Sequence, residues 1–125
     1  MKKVLIVEDQ PTVRKMICLA LRGRFELQES GDADEAYERI QADRPDGIVL
    51  DVMMPGAING FQLCERIKRD AELADIYVVL VTACGQVTDQ ELGHAIGADA
   101  YFVKPFSPLA LLRNLEGALL PATVV

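Results

Sequence analysis

Short apolar, β-branched runs alternate with segments of helical periodicity along the whole sequence. We predict strands over five such runs, residues 3–7, 25–29, 47–50, 76–81 and 100–103. Strict alternation of strand and helix implies right-handed crossovers and a parallel sheet that helices cover on both faces. The runs 4–7 and 78–81 are continuously apolar, as expected for strands buried on both faces. The sequence therefore predicts an α/β sandwich of three layers.

The helical segments carry start and stop signals of their own. We predict five helices, over residues 11–22, 32–42 and 60–69, from 88 to the glycine at 97, and from 107 to the proline at 121. Pro11 suits a first helical turn, and Asp32, Thr88 and Ser107 are the predicted N-terminal caps of the second, fourth and fifth helices. Gly97 stands where a helix ends in a residue with positive φ.

Length, charge and cysteine content exclude several classes of protein. The 125 residues fit one domain, predicted over 1–121, with 122–125 as a C-terminal tail. With 13 basic and 19 acidic residues the net charge is −6, so neither nucleic acid nor a membrane surface is expected as a direct partner. The basic cluster of Arg66, Lys68 and Arg69 is interpreted as a solvated helix end. The three cysteines form no disulfide or zinc pattern and no apolar run could span a bilayer, which favours a cytoplasmic protein.

Polar side chains directly follow four of the predicted strands. Glu8 and Asp9 follow the first strand, Asp51 the third, Thr82 the fourth and Lys104 the fifth. Taken alone, each of these residues also has a purely structural explanation. That of Glu8 and Asp9 is that they cap the helix beginning at residue 11. Because the carboxyl ends of parallel strands meet at one edge of a sheet, we expect all of these groups to lie close together.

This set of groups suits metal-assisted phosphoryl transfer. Carboxylates that share one pocket repel one another, and an all-oxygen set of this kind suits Mg²⁺. The ammonium of Lys104 offsets part of the negative charge and can bind a phosphoryl oxygen. Asp51 is the expected nucleophile because it lies at the end of the central strand, between the acid pair and the hydroxyl.

Four segments together resemble the receiver domain of bacterial two-component response regulators. They read Val-Glu-Asp at 7–9, Asp-Val-Met-Met-Pro at 51–55, Val-Thr-Ala at 81–83 and Gly-Ala-Asp-Ala-Tyr-Phe-Val-Lys-Pro-Phe at 97–106. The resemblance covers about residues 2–120. It implies a flavodoxin-like (βα)5 fold whose five-stranded parallel sheet has the order 2-1-3-4-5.

The resemblance also implies a role for each site residue. Asp51 corresponds to the phosphoacceptor, and Glu8, Asp9, Asp51 and the backbone carbonyl of Met53 correspond to the ligands of Mg²⁺, with Mn²⁺ as an alternative ion. The residues that match the phosphoryl-binding positions are Thr82, Ala83 and Lys104.

Thr82 further corresponds to a switch hydroxyl and Tyr101 to the aromatic residue that turns inward on activation. A plainer interpretation of Tyr101 is a half-buried tyrosine at a strand end, with its hydroxyl in water. In the family the bond between the residues matching Lys104 and Pro105 is cis.

The resemblance implies a signalling switch rather than an enzyme with a separate substrate. A sensor histidine kinase or phosphotransfer protein would supply the phosphoryl group, and the protein would assist its own phosphorylation and slow dephosphorylation. The face formed by the fourth helix, fifth strand and fifth helix would then control a downstream protein or effector domain.

The loop after Asp51 departs from the family pattern. It is one residue longer between Pro55 and Gly60. Met53 lies before the insertion, so its carbonyl is expected to keep its place. Asn59 and Gly60 are a pair that tolerates positive φ, and we expect a turn there.

Two positions that flank the path of a hydrolytic water in this family hold Met53 and Cys84. Neither side chain is a good general base at neutral pH. This predicts slow loss of the phosphoryl group.

Three other functions compete with the switch. A flavodoxin-like cofactor binder needs a phosphate loop after the first strand, where Glu8 and Asp9 would repel phosphate. A hydrolase with an aspartyl-phosphate intermediate needs a second acid two residues after the nucleophile, where Met53 stands. An interaction module that keeps the fold but never accepts phosphate stays open, as does the choice between a free-standing regulator and part of a longer chain.

Overall fold

One parallel sheet of five strands forms the centre of the molecule: β1 (Lys3–Val7), β2 (Glu26–Ser30), β3 (Gly47–Asp51), β4 (Tyr77–Thr82) and β5 (Ala100–Val103). The helices are α1 (Pro11–Leu21), α2 (Ala33–Ala42), α3 (Gly60–Arg69), α4 (Val87–Ala95) and α5 (Pro108–Leu119). The computed structural model describes residues 1–54, 56–83 and 87–120, with the backbone alone at 87 and 88. The strand order is β2-β1-β3-β4-β5, so the predicted fold is confirmed. Across these ranges, none of the helices has the length and apolar character that a membrane crossing requires.

The hydrophobic core lies on both faces of the sheet because successive residues of a strand point to opposite faces. One cluster joins alternate residues of the central strands, such as Leu5, to α2 and α3. The other joins the intervening residues, such as Ile6, to α1 and α5. Residues 4–7 of β1 and 78–81 of β4 are buried, as their continuous apolar runs predict, and all five residues of β3 are buried as well.

Strands β3 and β4 each extend one residue beyond the predicted end, at the edge that carries the candidate site. The sequence analysis placed Asp51 and Thr82 just after their strands, but both are the last residues of β3 and β4. Asp51 pairs with Val81, and Thr82 pairs with Val103. Asp51 and Thr82 therefore belong to the hydrogen-bonded sheet, and pairing with the neighbouring strand fixes the position of each backbone. Strand β2 is likewise displaced by one residue from the predicted range 25–29.

Most predicted helix ends are confirmed. The Asp32 carboxylate accepts a hydrogen bond from the backbone of Glu35, Ser107 Oγ accepts one from Ala110, and Gly97 follows α4 with φ 95°. The predicted cap at Thr88 is wrong, because α4 begins at Val87 and Thr88 is its second residue. A threonine followed by an acid three residues later fits inside a first turn as well as at a cap, so the local pattern does not distinguish the two.

The longer β3–α3 loop takes a course that the sequence analysis did not predict. Asn59 has φ −96°, not a positive value, and caps α3: its side chain accepts from Gln62 N while the Gln62 side chain accepts from Asn59 N. The positive φ lies instead at Gly56, at 119°. Next to it, the backbone of Ala57 donates to the carboxylate of Asp34 in α2 at 3.1 Å. The left-handed turn of this loop therefore lies at Gly56, three residues ahead of the cap.

Lys68 is not the solvated residue that the sequence analysis expected. Its ammonium donates to the carbonyls of Ala74 and Ile76 at 3.0 and 2.6 Å and to Asp99 at 2.8 Å. Its stem lies against Gly97. Lys68 therefore ties the end of α3 to the segments that precede β4 and β5. All three acceptors lie beyond the end of α3, which explains why helix periodicity did not reveal these contacts.

Candidate functional site

Two buried carboxylates lie side by side at the carboxyl edge of the sheet. Glu8 follows β1 and Asp51 ends the neighbouring strand β3, and their exposed fractions are 1% and 4%. Asp9 completes the group: one carboxylate oxygen from each of the three residues lies within 4.8 Å of the others. The structure thus brings together the three acids that the sequence analysis selected.

Lys104 reaches these acids from the loop after β5. Its Nζ lies 2.7 Å from Glu8 Oε1 and 3.4 Å from Asp51 Oδ2. Its backbone N donates to the Thr82 carbonyl at 2.7 Å, and the Lys104–Pro105 peptide bond is cis. One ammonium therefore joins the two buried carboxylates, and the same residue is fixed to the end of β4.

The electrostatics of the site show that negative charge is incompletely compensated. Burial raises the pKa of Glu8, the charge of Asp51 raises it further, and Lys104 opposes part of this rise. Burial lowers the pKa of Lys104, but its contacts with Glu8 and Asp51 outweigh that effect and the pKa lies above its usual value. Oε2 of Glu8 is buried and has no hydrogen-bond partner among the described residues. An oxygen in this state is suited to a cation.

The hydroxyl, the small residue and the aromatic residue occupy distinct places around this group. Thr82 is fully buried at the end of β4, and Ala83 is exposed next to it. Tyr101 is half-buried on β5, in register with Leu80. Its ring packs so closely on Gly93 of α4 that a methyl group there would lie 2.9 Å from ring carbon Cδ2. Tyr101 thus contacts α4. This contact is compatible both with the switch role that the resemblance implies and with a half-buried tyrosine at a strand end.

The alternative role of Glu8 and Asp9 as helix caps is not seen. The N-terminal cap of α1 is Gln10, and no side chain caps that end. The backbone of Glu8 is fixed instead by two other residues: its N donates to the Ser30 carbonyl at 3.1 Å, and its carbonyl accepts from Nη1 of Arg14 at 2.8 Å. The sequence analysis missed Arg14. Its position one turn into α1, six residues after Glu8, was the only signal available.

The positions that flank the phosphoacceptor candidate are only partly described. The backbone N of Met53 donates to Asp51 Oδ1 at 3.1 Å, and the Met53 side chain is 63% exposed. Pro55 and Cys84 lie outside the described residues. The Met53 contact holds one oxygen of Asp51, while the other faces Lys104.

Comparison with known proteins identifies the family of this chain. Residues 4–116 match the model of the response regulator receiver domain. The chain belongs to this family. Receiver domains are signalling modules that partner with histidine kinases, and membership supports a role in phosphorylation-dependent signalling.

Similar proteins include transcriptional regulators and response regulators. The phosphate regulon transcriptional regulatory protein PhoB of Klebsiella pneumoniae is 38% identical over 119 residues, which cover 94% of this chain and 52% of that protein. A putative response regulator from Chloroflexus aurantiacus has a TM-score of 0.88 at 33% identity, covering 94% of this chain and 97% of that one. The chemotaxis protein CheY4 of Vibrio cholerae has a TM-score of 0.86 at 31% identity, covering 95% of this chain and 99% of that one. The chain spans about half the length of the curated relatives it matches.

Proposed function

We propose that Asp51 accepts a phosphoryl group from a histidine of a sensor kinase or a phosphotransfer protein. The P–N bond of the phosphohistidine breaks as a P–O bond to the Asp51 carboxylate forms, and the electron pair leaves with the imidazole nitrogen. The observation that carries this proposal is the ammonium of Lys104, held between the buried carboxylates of Asp51 and Glu8. A buried acid beside a fixed cation, at the open edge of a parallel sheet, is suited to nucleophilic phosphoryl transfer.

The donor set fits a hard divalent cation, Mg²⁺ or Mn²⁺. Glu8, Asp9 and Asp51 would supply carboxylate oxygens, and Met53 its backbone carbonyl. The unsatisfied Oε2 of Glu8 and the short separation of the three acids support this assignment. When bound, such a cation neutralises charge on the phosphoryl oxygens.

Three residues are proposed to hold the transferred group. Lys104 is 0.7 Å farther from Asp51 than from Glu8, the difference between 3.4 and 2.7 Å, so its ammonium can shift towards added phosphoryl oxygens. Thr82 offers a hydroxyl from the end of β4, and exposed Ala83 leaves room beside it. Charge-assisted hydrogen bonds of this kind are the stronger ones in proteins.

The readout is proposed to run through α4, β5 and α5. Movement of Thr82 and Lys104 towards the phosphoryl group would change the ends of β4 and β5, and Tyr101 joins β5 to α4 through its packing on Gly93. The altered face would act on a downstream protein or effector domain, with no direct contact to nucleic acid or membrane. We assign residues 1–121 to one receiver domain and 122–125 to a tail, and we propose that the protein acts in the cytoplasm.

The test is intact mass after incubation with a small acyl or amido phosphate donor. Wild-type protein is expected to gain one phosphoryl group with Mg²⁺ and none with a chelator. Asp51→Asn is expected to gain none while remaining folded. Asp75→Asn, the same change at an exposed surface aspartate, serves as the matched control and is expected to behave as wild type. Folded wild-type protein that acquires no adduct would favour the interaction module that never accepts phosphate.

A further inference from the structure

Arg14 of α1 spans the turn between β1 and α1 and is not among the residues that the resemblance assigns to the site. Its Nη1 donates to the Glu8 carbonyl at 2.8 Å, and its Nε donates to Glu29 Oε1 at 3.2 Å. The arginine side chain is only 26% exposed, and Gly31 lies close to Nη1. The end of β2 therefore helps to hold the guanidinium over the turn.

The bond from Arg14 fixes the peptide that joins two of the acids. The carbonyl of Glu8 and the N–H of Asp9 belong to one planar unit, so a donor on the carbonyl sets the orientation of the whole peptide. The N–H of Glu8 is held from the other side by the Ser30 carbonyl at 3.1 Å. With both backbone groups of Glu8 engaged, the Glu8 backbone and the Glu8–Asp9 peptide are held in one orientation, which restricts where the two carboxylates can lie.

We infer that Arg14 is a positioning residue that raises the affinity of the three-carboxylate group for a divalent cation by orienting the Glu8–Asp9 peptide. This inference rests on the proposed function, because it deepens the metal site assigned there. Arg14 would act through the Glu8–Asp9 peptide and not as a ligand, since its guanidinium contacts the Glu8 carbonyl and Glu29.

The direction in which metal affinity changes when Arg14 is replaced distinguishes a positioning role from an effect of its charge alone. A guanidinium near a group of carboxylates repels an incoming cation, so removal of its charge alone would tighten metal binding. Loss of orientation acts in the opposite direction, and loss of an outer-shell hydrogen bond typically weakens metal binding by about 10- to 100-fold. Arg14 contacts the backbone carbonyl of Glu8 and not its carboxylate oxygens. We therefore expect its loss to weaken metal binding by the lower end of that range, about 10-fold.

The experiment measures Mn²⁺ binding without any phosphate donor, by electron paramagnetic resonance of the unbound ion, with Mg²⁺ titration calorimetry as a second readout. Arg14→Met keeps an unbranched apolar stem and removes the donors, and it is expected to weaken binding about 10-fold. Arg14→Lys keeps the charge but not the fork that reaches both Glu8 and Glu29, and it is expected to weaken binding as well. Lys15→Met removes an exposed cation from the same helix and is expected to leave binding unchanged or slightly tighter.

Each result has a distinct meaning. Wild-type protein that binds Mn²⁺ while Arg14→Met binds it equally or more tightly overturns the positioning role. Wild-type protein that binds no divalent cation overturns the metal site of the proposed function, and the role of Arg14 with it. Circular dichroism checks that the variants fold. Should Arg14→Met unfold, Arg14→Lys decides the question by the same comparison.

Discussion

Replacement of Gly60 by alanine is expected to damage the fold next to the proposed phosphoacceptor. Gly60 is the first residue of α3 and is buried. A Cβ atom there would lie 2.7 Å from Val52 Cα and 2.9 Å from the carbonyl carbon of Asp51, and it would overlap the Asp51 carbonyl oxygen. These are backbone atoms, which cannot rotate away as a side chain would. The start of α3 and the end of β3 would therefore have to move apart.

The size of the effect follows from two contributions. Overpacking in a closed site costs about 1–3 kcal/mol. Separation of α3 from β3 would also weaken the hydrogen bond from Gly60 N to the Val52 carbonyl, now 3.0 Å, at a cost of about 0.5–1.5 kcal/mol. The sum is about 1.5–4.5 kcal/mol, which for a domain of this size lowers Tm by on the order of 10 °C.

Thermal and urea unfolding of Gly60→Ala and Gly117→Ala test this reasoning. Gly117 lies exposed within α5, and a Cβ there meets nothing within 4 Å, so alanine is expected to stabilise the protein by about 0.5–1 kcal/mol. The two variants make the same chemical change and should shift stability in opposite directions. Equal or greater stability of Gly60→Ala relative to wild type would refute the close approach of α3 to the Asp51 backbone.

Three further outcomes are expected. Lys68→Met should lower the free energy of unfolding in urea by about 1–3 kcal/mol, because it removes the donor from two part-buried carbonyls and the cation from Asp99, whereas Arg69→Met on the exposed face should change it by about 0.5 kcal/mol or less; similar values for both would contradict the tie from α3 to the segments before β4 and β5. Cys64 is fully buried and burial raises its pKa to about 12, so mass-resolved thiol labelling at neutral pH should reach it only through unfolding, and rapid native-state labelling would argue against this burial. Met53→Asn combined with Cys84→Glu should speed the loss of phosphate from the phosphorylated protein, followed by intact mass, and an unchanged decay rate would count against slow hydrolysis at these positions.

The parts of the molecule that sequence predicted well depend on local or topological rules. Strands and helices followed from periodicity, and the caps at Asp32 and Ser107 from chemistry within one turn. The grouping of Glu8, Asp51 and Lys104 followed because parallel strands place their carboxyl ends at one edge. Neither inference needed knowledge of which distant residues touch.

The parts that sequence did not predict depend on where each helix begins and on how separate elements meet in the fold. Lys68 stands in a run of basic residues at a helix end, and only the fold shows that three acceptors from two later segments surround its ammonium. Asparagine is a residue type that is common in turns, yet Asn59 is the N-terminal cap of α3 because that helix begins at Gly60. Arg14 has the spacing of an ordinary surface residue of α1, and its contact with the Glu8 carbonyl exists only because β1, β2 and α1 meet there.

The charges of the site indicate how the proposed phosphorylation would act on the rest of the domain. When ionised, Glu8, Asp9 and Asp51 carry three negative charges against one positive charge on Lys104, so a divalent cation would bring the group to neutrality. A phosphoryl group on Asp51 restores an excess of negative charge that the cation and Lys104 must then share. Because the backbone N of Lys104 donates to the Thr82 carbonyl at 2.7 Å, we expect a displacement of the Lys104 backbone towards new oxygens to be transmitted to the end of β4. This backbone bond thus links Thr82 and Lys104, the two residues through which we propose that the site acts on the face formed by α4, β5 and α5.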